Sequence, residues 1–387
     1  MSEFVRQVKQ QLKPILPRLG SLDMELTERC NNDCVHCSIN LPSDDQHARR
    51  REMTTEQVKD ILKQAAGLGC MLVRFTGGEP LLRQDFRELY IYARRLGIKV
   101  LLFTNARLIN ERLVDLFASI PPKVTIEITV YGMHKESYEA ATRSHGSFDQ
   151  CWTGIQLLLE RKVPFVVKSA LLPQNRAEME EFEEWAMTIP WMTKPPQYSM
   201  FFDLRNSRDN EEKNKQIKSL RLSPDEGISV LTRDEAGYRK DMSEFALKFM
   251  GPQGDRLFAC GAGTGVNIDA YGRAQPCMGV RAPELMADVV RVGANGRSPL
   301  QKALDSFSRL REIRATNPEY LKRCAVCFLK GMCEQCPAKS WAESGEIDRP
   351  VEYLCDVAHA QARFMGWLGE NEHGWEVPDW RERIKVI

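Results

Sequence analysis

At 387 residues, 43% of them hydrophobic, the chain is long enough to bury a sizeable core, and its length suggests about two to three domains. Its 54 basic and 53 acidic residues leave a formal net charge of +1, so no whole-molecule field points to nucleic acid or an anionic membrane. The first 20 residues are charged and amphipathic, and no run of about 18 or more apolar residues occurs anywhere, so a cytoplasmic protein with no membrane segment is expected. Twelve cysteines bunched at short spacings in a long chain without a signal peptide suggest metal ligation in a reducing compartment rather than a disulfide scaffold.

Taken in order, the first two hundred residues alternate strand and helix. Leu22 to Thr27 reads as a strand, and Thr54-Thr55-Glu56-Gln57 is a capping box opening a helix to about Gly69. Cys70 to Phe75 follows as a buried strand, Asp85 to Leu96 as a helix, and Ile98 to Phe103 as a strand. Asn110 opens a helix that Pro121-Pro122 closes, ahead of the β-branched run Val124 to Val130. Phe148 to Lys162 reads as a helix, Phe165 to Leu171 as a strand, Ala177 to Thr188 as a helix and Gln197 to Phe202 as a sixth strand. Strands joined by helical crossovers predict a parallel sheet in an α/β fold. From Asp203 to Leu222 a charged, weakly periodic stretch reads as a linker or surface excursion, and Pro224 to Phe249 as one helix capped by Ser223.

Between the first strand and its helix lie Cys30, Cys34 and Cys37, spaced C-x3-C-x2-C. Three such thiols can hold three corners of one cubane iron–sulfur cluster and leave one metal corner open, with a zinc site as the alternative. One unit later, Thr76-Gly77-Gly78-Glu79-Pro80 follows the second strand, its glycines permitting close backbone approach and Glu79 offering an acceptor to an ammonium group. Thr104-Asn105 and Tyr131-Gly132 end the next two strands, so all four motifs fall at the carboxyl rim, where active sites of such barrels lie.

The cysteine loop, with His36 in its aromatic slot, resembles that of the radical S-adenosylmethionine (SAM) superfamily. The resemblance implies a partial (β/α)6 TIM-like barrel over 21–203 and a [4Fe–4S] cluster on Cys30, Cys34 and Cys37 whose open iron binds SAM. It also places Gly77, Gly78 and Glu79 at the SAM amine, Asn105 and Glu127 near its ribose and carboxylate, and Arg143 against SAM; Lys168 matches a polar position on the fifth strand.

Seven further cysteines follow: Cys260, Cys277 in Gly272-x4-Cys277, then Cys324, Cys327, Cys333, Cys336 and Cys355. They resemble the SPASM auxiliary-cluster domain, although two residues rather than three separate Cys333 from Cys336. That resemblance implies a cluster on Cys324, Cys327, Cys333 and Cys355 and another on Cys260, Cys277 and Cys336, hence three [4Fe–4S] clusters in all. The domain plan is then an N-terminal extension at 1–20, the barrel at 21–203, a linker and bridging helix at 204–256, the SPASM domain at 257–356, and a C-terminal helix and tail at 357–387. Cys70 and Cys151 are left as small buried hydrophobes.

The activity implied is one-electron cleavage of SAM to a 5′-deoxyadenosyl radical that abstracts hydrogen from a substrate, with electrons from a flavodoxin- or ferredoxin-type donor. The implied substrate is a ribosomally made peptide, its leader recognised by a separate leader-binding protein or not at all. The alternatives are a small molecule, such as a sugar alcohol or a tetrapyrrole side chain, and, remotely, a non-enzymatic iron–sulfur or zinc protein. Sulfatase-maturating relatives carry a base, Asp, directly after the cysteine of G-x4-C; here Met278 stands there, and a thioether is only a weak acceptor.

Overall fold

A computed structural model describes residues 19–290 and 298–384. All but the last two residues of the N-terminal extension lie outside it. Six strands run in parallel: β1 (Leu22–Thr27), β2 (Leu72–Gly77), β3 (Lys99–Thr104), β4 (Lys123–Thr129), β5 (Phe165–Ala170) and β6 (Tyr198–Ser199). The crossover helices start where the sequence marks them: Thr54 and Gln57 form the reciprocal capping box of Thr55–Gly67, and Asn110 caps Glu111–Ser119. Asp85 makes no cap bond to its helix, because its carboxylate is held by Arg83 and Thr55.

Alternation along the strands separates two faces. Met24, Leu26, Val73, Phe75, Val100, Leu102, Ile126, Ile128, Phe165 and Val167 are buried in one core with the helices, each side chain stabilising the fold by about 1.5–3 kcal/mol. The other face is polar. Register sets Asp23 against Arg74, Glu25 against Thr76, Phe103 against Glu127 and Thr129 against Lys168. Strands of a parallel sheet covered on both sides read as continuous apolar runs, so this polar inner face marks the interior of the barrel as a place for ligands.

The structure departs from the sequence reading in five places. The sixth strand shrinks to Tyr198–Ser199. The single helix expected from Pro224 splits into Pro224–Leu231 and Glu235–Phe249, the second capped by Asp234. Three short strands of the C-terminal region, β7 (Val266–Ile268), β8 (Arg273–Gln275) and β9 (Ala287–Asp288), join the sheet, giving the order β9-β8-β7-β1-β2-β3-β4-β5-β6. The pairing of β7 with β1 is secured by buried polar groups, since Asn267 Nδ2 donates to Glu25 Oε1, which also pairs with Arg281. Finally, the helix Glu352–Phe364 runs through the expected boundary at 356, so Cys355 sits in its first turn.

The expected linker is also structured. Glu211–Leu220 is a helix that buries Lys213, Asn214 and Ile217, and Arg205 and Asn206 before it are buried as well. Its charged composition hid this, because the buried Arg205 and Lys213 are held by backbone carbonyls and carboxylates while charges such as Glu212 and Lys215 stay exposed.

Candidate functional site

The cysteine loop leaves β1 and is closed at its base by a two-residue parallel pairing of Arg29–Cys30 with Leu41–Pro42. Arg29 fixes that closure, forking onto the Glu52 carboxylate and donating 2.9 Å to the Ser43 carbonyl. Within the loop, Asp33 N and Val35 N donate to the Thr142 and Ala141 carbonyls. Cations grip the rest. Arg107 donates to the Asn31 carbonyl and 2.6 Å to Asn32 Oδ1, Arg143 donates 2.9 Å to the Asp33 carbonyl, and Lys213 donates 2.7 Å to the Cys34 carbonyl. Ser144 adds a bond to the Asn31 carbonyl.

Cys30, Cys34 and Cys37 line one cavity of about 640 Å³. Gly77, Gly78, Thr104, Asn105, Tyr131 and Lys168 are among the barrel residues of its wall, with Asp203 from the barrel's end and Glu334, Lys339 and Gln361 from the C-terminal region. Burial pushes the Cys30 thiol up and the Cys34 thiol up to about 12, so as free thiols both are protonated at neutral pH, whereas a coordinating metal deprotonates a thiol outright. His36 also lines the cavity, its ring 5.5 Å from Tyr131 and 5.0 Å from Phe202. Burial lowers its pKa to about 4, and its Nδ1 is buried without a hydrogen-bond partner. Three soft donors on a rigid loop, an unspent imidazole nitrogen and glycine backbone around one cavity fit a thiolate-held cluster with an organic ligand.

The paired glycines are explained by the neighbouring chain. Gly77 has φ +126°, and a Cβ there would lie 2.1 Å from the Thr27 carbonyl oxygen; a Cβ at Gly78 would lie 2.2 Å from that of Arg29. Gly78 N and Glu79 N donate to those same two carbonyls, so the glycines let β2 dock against the root of the cysteine loop. Glu79 is fully buried and does not line the cavity. Its Oε1 accepts from Leu81 N and Thr104 Oγ1, and its Oε2 accepts from Asn105 N at 2.8 Å. Burial raises its pKa to about 7 despite those three bonds. The side chain expected at a ligand ammonium group thus joins two strand ends, its own after β2 and that of β3, while Gly77 and Gly78 line the cavity.

Two other expected contacts stand back from it. Glu127 forms an ion pair with Lys168, whose ammonium lies 4.0 Å from the centre of the Phe103 ring, and it is Lys168 that reaches the cavity. Arg143 pairs at 2.5 Å with Asp33 on the outer side of the cysteine loop. Asn105 does face the cavity, and its amide donates 2.8 Å to Asn31 Oδ1. The sequence reading missed Arg107, Ser144 and Lys213. Arg107 lies two residues past the marked strand end and could have been found there, whereas Lys213 carried no signal.

In the C-terminal region Cys324, Cys327, Cys333 and Cys355 line one narrow cavity with Gln335, His359 and Trp375. Burial raises all four thiols, Cys327 to about 12 and Cys355 to about 11. The wall is tight at Gly374, where a Cβ would lie 2.7 Å from Cys327 Sγ. Cys260 and Cys336 lie close enough to Cys277 to reinforce the rise that burial imposes on its thiol; Cys260 is exposed. Among the described residues, no three His, Cys, Asp or Glu side chains converge as ligands of a single ion, and no helix is long and apolar enough to cross a membrane.

Residues 24–186 match the sequence profile of the Radical SAM superfamily. Those residues form a radical SAM domain. Membership implies a SAM-binding [4Fe–4S] cluster. The chain is 25% identical over 354 residues to the AdoMet-dependent heme synthase of Methanosarcina barkeri, covering 85% of this chain and 94% of that one. It is 28% identical over 353 residues to mycofactocin maturase MftC of Mycobacterium tuberculosis, covering 88% and 83%. In fold, this radical SAM enzyme is similar to anSMEcpe with bound AdoMet and a Cp18Cys peptide, at TM-score 0.61 and 16% identity over 95% of this chain and 99% of that one. It is also similar to SuiB of Streptococcus suis bound to S-adenosylmethionine, at TM-score 0.57 and 16% identity over 91% and 81%. These likenesses reach beyond the barrel, so the cysteine-rich C-terminal region belongs to the shared fold.

Proposed function

We propose that this radical SAM enzyme matures a ribosomally made peptide, with Cys30, Cys34 and Cys37 holding the SAM-binding cluster. Cys324, Cys327, Cys333 and Cys355 hold one auxiliary [4Fe–4S] cluster, and Cys260, Cys277 and Cys336 hold a second. The observation that carries the reading is the single cavity of about 640 Å³ walled by the cysteine loop on one side and by Asp203, Glu334, Lys339 and Gln361 on the other. Its size lies within the range of about 300–1,000 Å³ usual for small-ligand sites. The likeness to mycofactocin maturase MftC over 88% of this chain, and the fold likeness to anSMEcpe with its bound Cp18Cys peptide, support the substrate class.

When bound, the cluster and SAM supply the one-electron chemistry that makes a hydrogen-abstracting radical. The chain's own residues do the rest. The cation-held loop fixes the three thiols, Asn105 and the Gly77-Gly78 backbone present polar groups to the ligand, and His36, Tyr131 and Phe202 form an aromatic wall that excludes water. Lys168 and Lys339 offer cations to the substrate side, Lys339 standing 2.6 Å from Glu334 and 3.3 Å from Asp203. Electrons come from a flavodoxin- or ferredoxin-type protein.

The likeness to the heme synthase over 85% of this chain favours a second reading, oxidation of a tetrapyrrole side chain. One assay separates the two. Anaerobically reconstituted enzyme with reductant and SAM is given candidate precursor peptides or an iron porphyrin bearing propionates, and the products are read by mass spectrometry. A mass change in the peptide supports the first reading, and turnover of the porphyrin alone replaces it with the second. A sulfatase-type peptide is expected to stay unconverted, since Met278 stands where a base is needed and its sulfur already accepts from Arg74 Nη1 at 3.2 Å.

A further inference from the structure

Lys213 lies in the helix Glu211–Leu220, well past the barrel, yet its side chain is 8% exposed and its Nζ donates 2.7 Å to the carbonyl of Cys34. A buried ammonium is costly unless a negative charge answers it. The nearest carboxylate, Asp33, lies 3.6 Å away, is more than half exposed, and is already paired at 2.5 Å with Arg143. Two cations therefore share one solvated carboxylate, and one positive charge is left over beside the Cys34 and Cys37 thiols.

The placement is built. Asn210 caps the helix by accepting from Lys213 N, and the neighbouring Asn214, 3% exposed, accepts from Arg205 N. Arg205, 4% exposed, is locked to Asp209 and donates to the Asn40 carbonyl at the far end of the cysteine loop. On the opposite side, Trp341 Nε1 donates to the Asn206 carbonyl, Arg208 donates to the carbonyls of Trp341 and Ala342, and Arg221 pairs with Glu343. Those partners belong to the helix Pro337–Ser344, which begins directly after Cys336. Residues 203–222 thus form a clasp from the cysteine loop to the auxiliary region, with Lys213 as its charged tip.

We propose that Lys213 is a positioning residue for the SAM-binding cluster, a fixed counter-charge that raises its reduction potential and pins the Cys34 peptide. Net charge, hydrogen bonding and solvent exposure set such potentials, and each added electron is drawn toward a nearby buried cation in a medium of low dielectric. The inference rests on the reading that Cys30, Cys34 and Cys37 carry the SAM-responsive cluster.

The test is a redox titration of reconstituted full-length protein, following the paramagnetic resonance signal that changes on addition of SAM, with iron measured per chain. Lys213→Met is compared with Lys213→Arg and with Lys215→Met, a control on the same helix that is 66% exposed. Loss of the charge is expected to lower the reduction equilibrium constant about tenfold, or about 59 mV for one electron, with Arg restoring most of it and the Lys215 variant unchanged. Loss of about four irons in Lys213→Met alone, with Lys213→Arg loaded at the wild-type potential, also supports the role. An unchanged potential in a fully loaded Lys213→Met protein overturns it, as does equal iron loss in the Met and Arg variants, which marks a packing role. A wild-type signal indifferent to SAM overturns the cluster reading itself and removes the site on which Lys213 acts.

Discussion

The two thiol-lined sites differ in shape before any cofactor is considered. Cys30, Cys34 and Cys37 stand at the edge of a cavity of about 640 Å³ shared by barrel and C-terminal region, whereas Cys324, Cys327, Cys333 and Cys355 surround a narrow space roofed by Trp375, His359 and Gly374. Three donors beside open space leave a metal corner for an outside ligand, and four donors around a closed space leave none. The first geometry suits binding and chemistry, the second electron storage or transfer. Their surroundings differ as well: the first loop is pinned by Arg107, Arg143 and Lys213 through its carbonyls, whereas at the second site Arg323 donates to Cys355 Sγ itself and Lys330 lines the cavity.

The strongest way to break this comparison is to delete each site in turn. Replacing Cys30, Cys34 and Cys37 together by Ala is expected to bring 5′-deoxyadenosine formation to background and to remove about four irons per chain. Continued formation of 5′-deoxyadenosine would falsify the assignment of the open site. Cys324→Ala is expected to lose a similar amount of iron yet keep cleaving SAM without completing product. If it stopped cleaving SAM while retaining the cluster of the first loop, the two sites would not be separable as described.

A smaller effect probes the brace behind the open site. Burial raises the Glu79 pKa to about 7, above the unfolded value of about 4.3. This raised pKa contributes stability that is fully present below the unfolded value and is lost as pH rises through about 7, on the order of 3 kcal/mol for a shift of this size. Glu79→Gln cannot titrate and sets an amide donor among the donors Leu81 N, Thr104 Oγ1 and Asn105 N. The variant is therefore expected to be less stable at pH 5 and flatter between pH 5 and 8 in chemical denaturation. Parallel pH profiles for the two proteins would show that Glu79 is not the titrating group.

The smallest effect sharpens the contrast between ligand and core cysteines. Cys70 and Cys151 are 2% and 0% exposed within the barrel core, and Cys70 Sγ donates to the Leu72 carbonyl at 3.1 Å. Replacing either by Ala is expected to cost about 1 kcal/mol of stability, as small core truncations do, and to leave the iron content at the wild-type level. Loss of about four irons in either variant would move that cysteine into a ligand set.

Much of this enzyme was legible in its sequence because local signals and function coincide at strand ends. The Cys30 to Cys37 spacing, the Gly77-Gly78 pair and Asn105 each follow a strand whose period-two pattern is strong, and the capping box at Thr54 and the cap at Asn110 mark helix starts by local bonding alone. These are short-range decisions, made by residues within a few positions of one another. The tertiary structure decided the rest. Glu79 is engaged by donors that arrive from another strand end, and Arg143 is paired with Asp33 of the loop that folds back over it. Whether Lys213 is solvated or buried depends on contacts 179 residues apart in the chain. A charged residue reads as surface in one dimension, and only the packing of a distant loop against it determines that it lies inside.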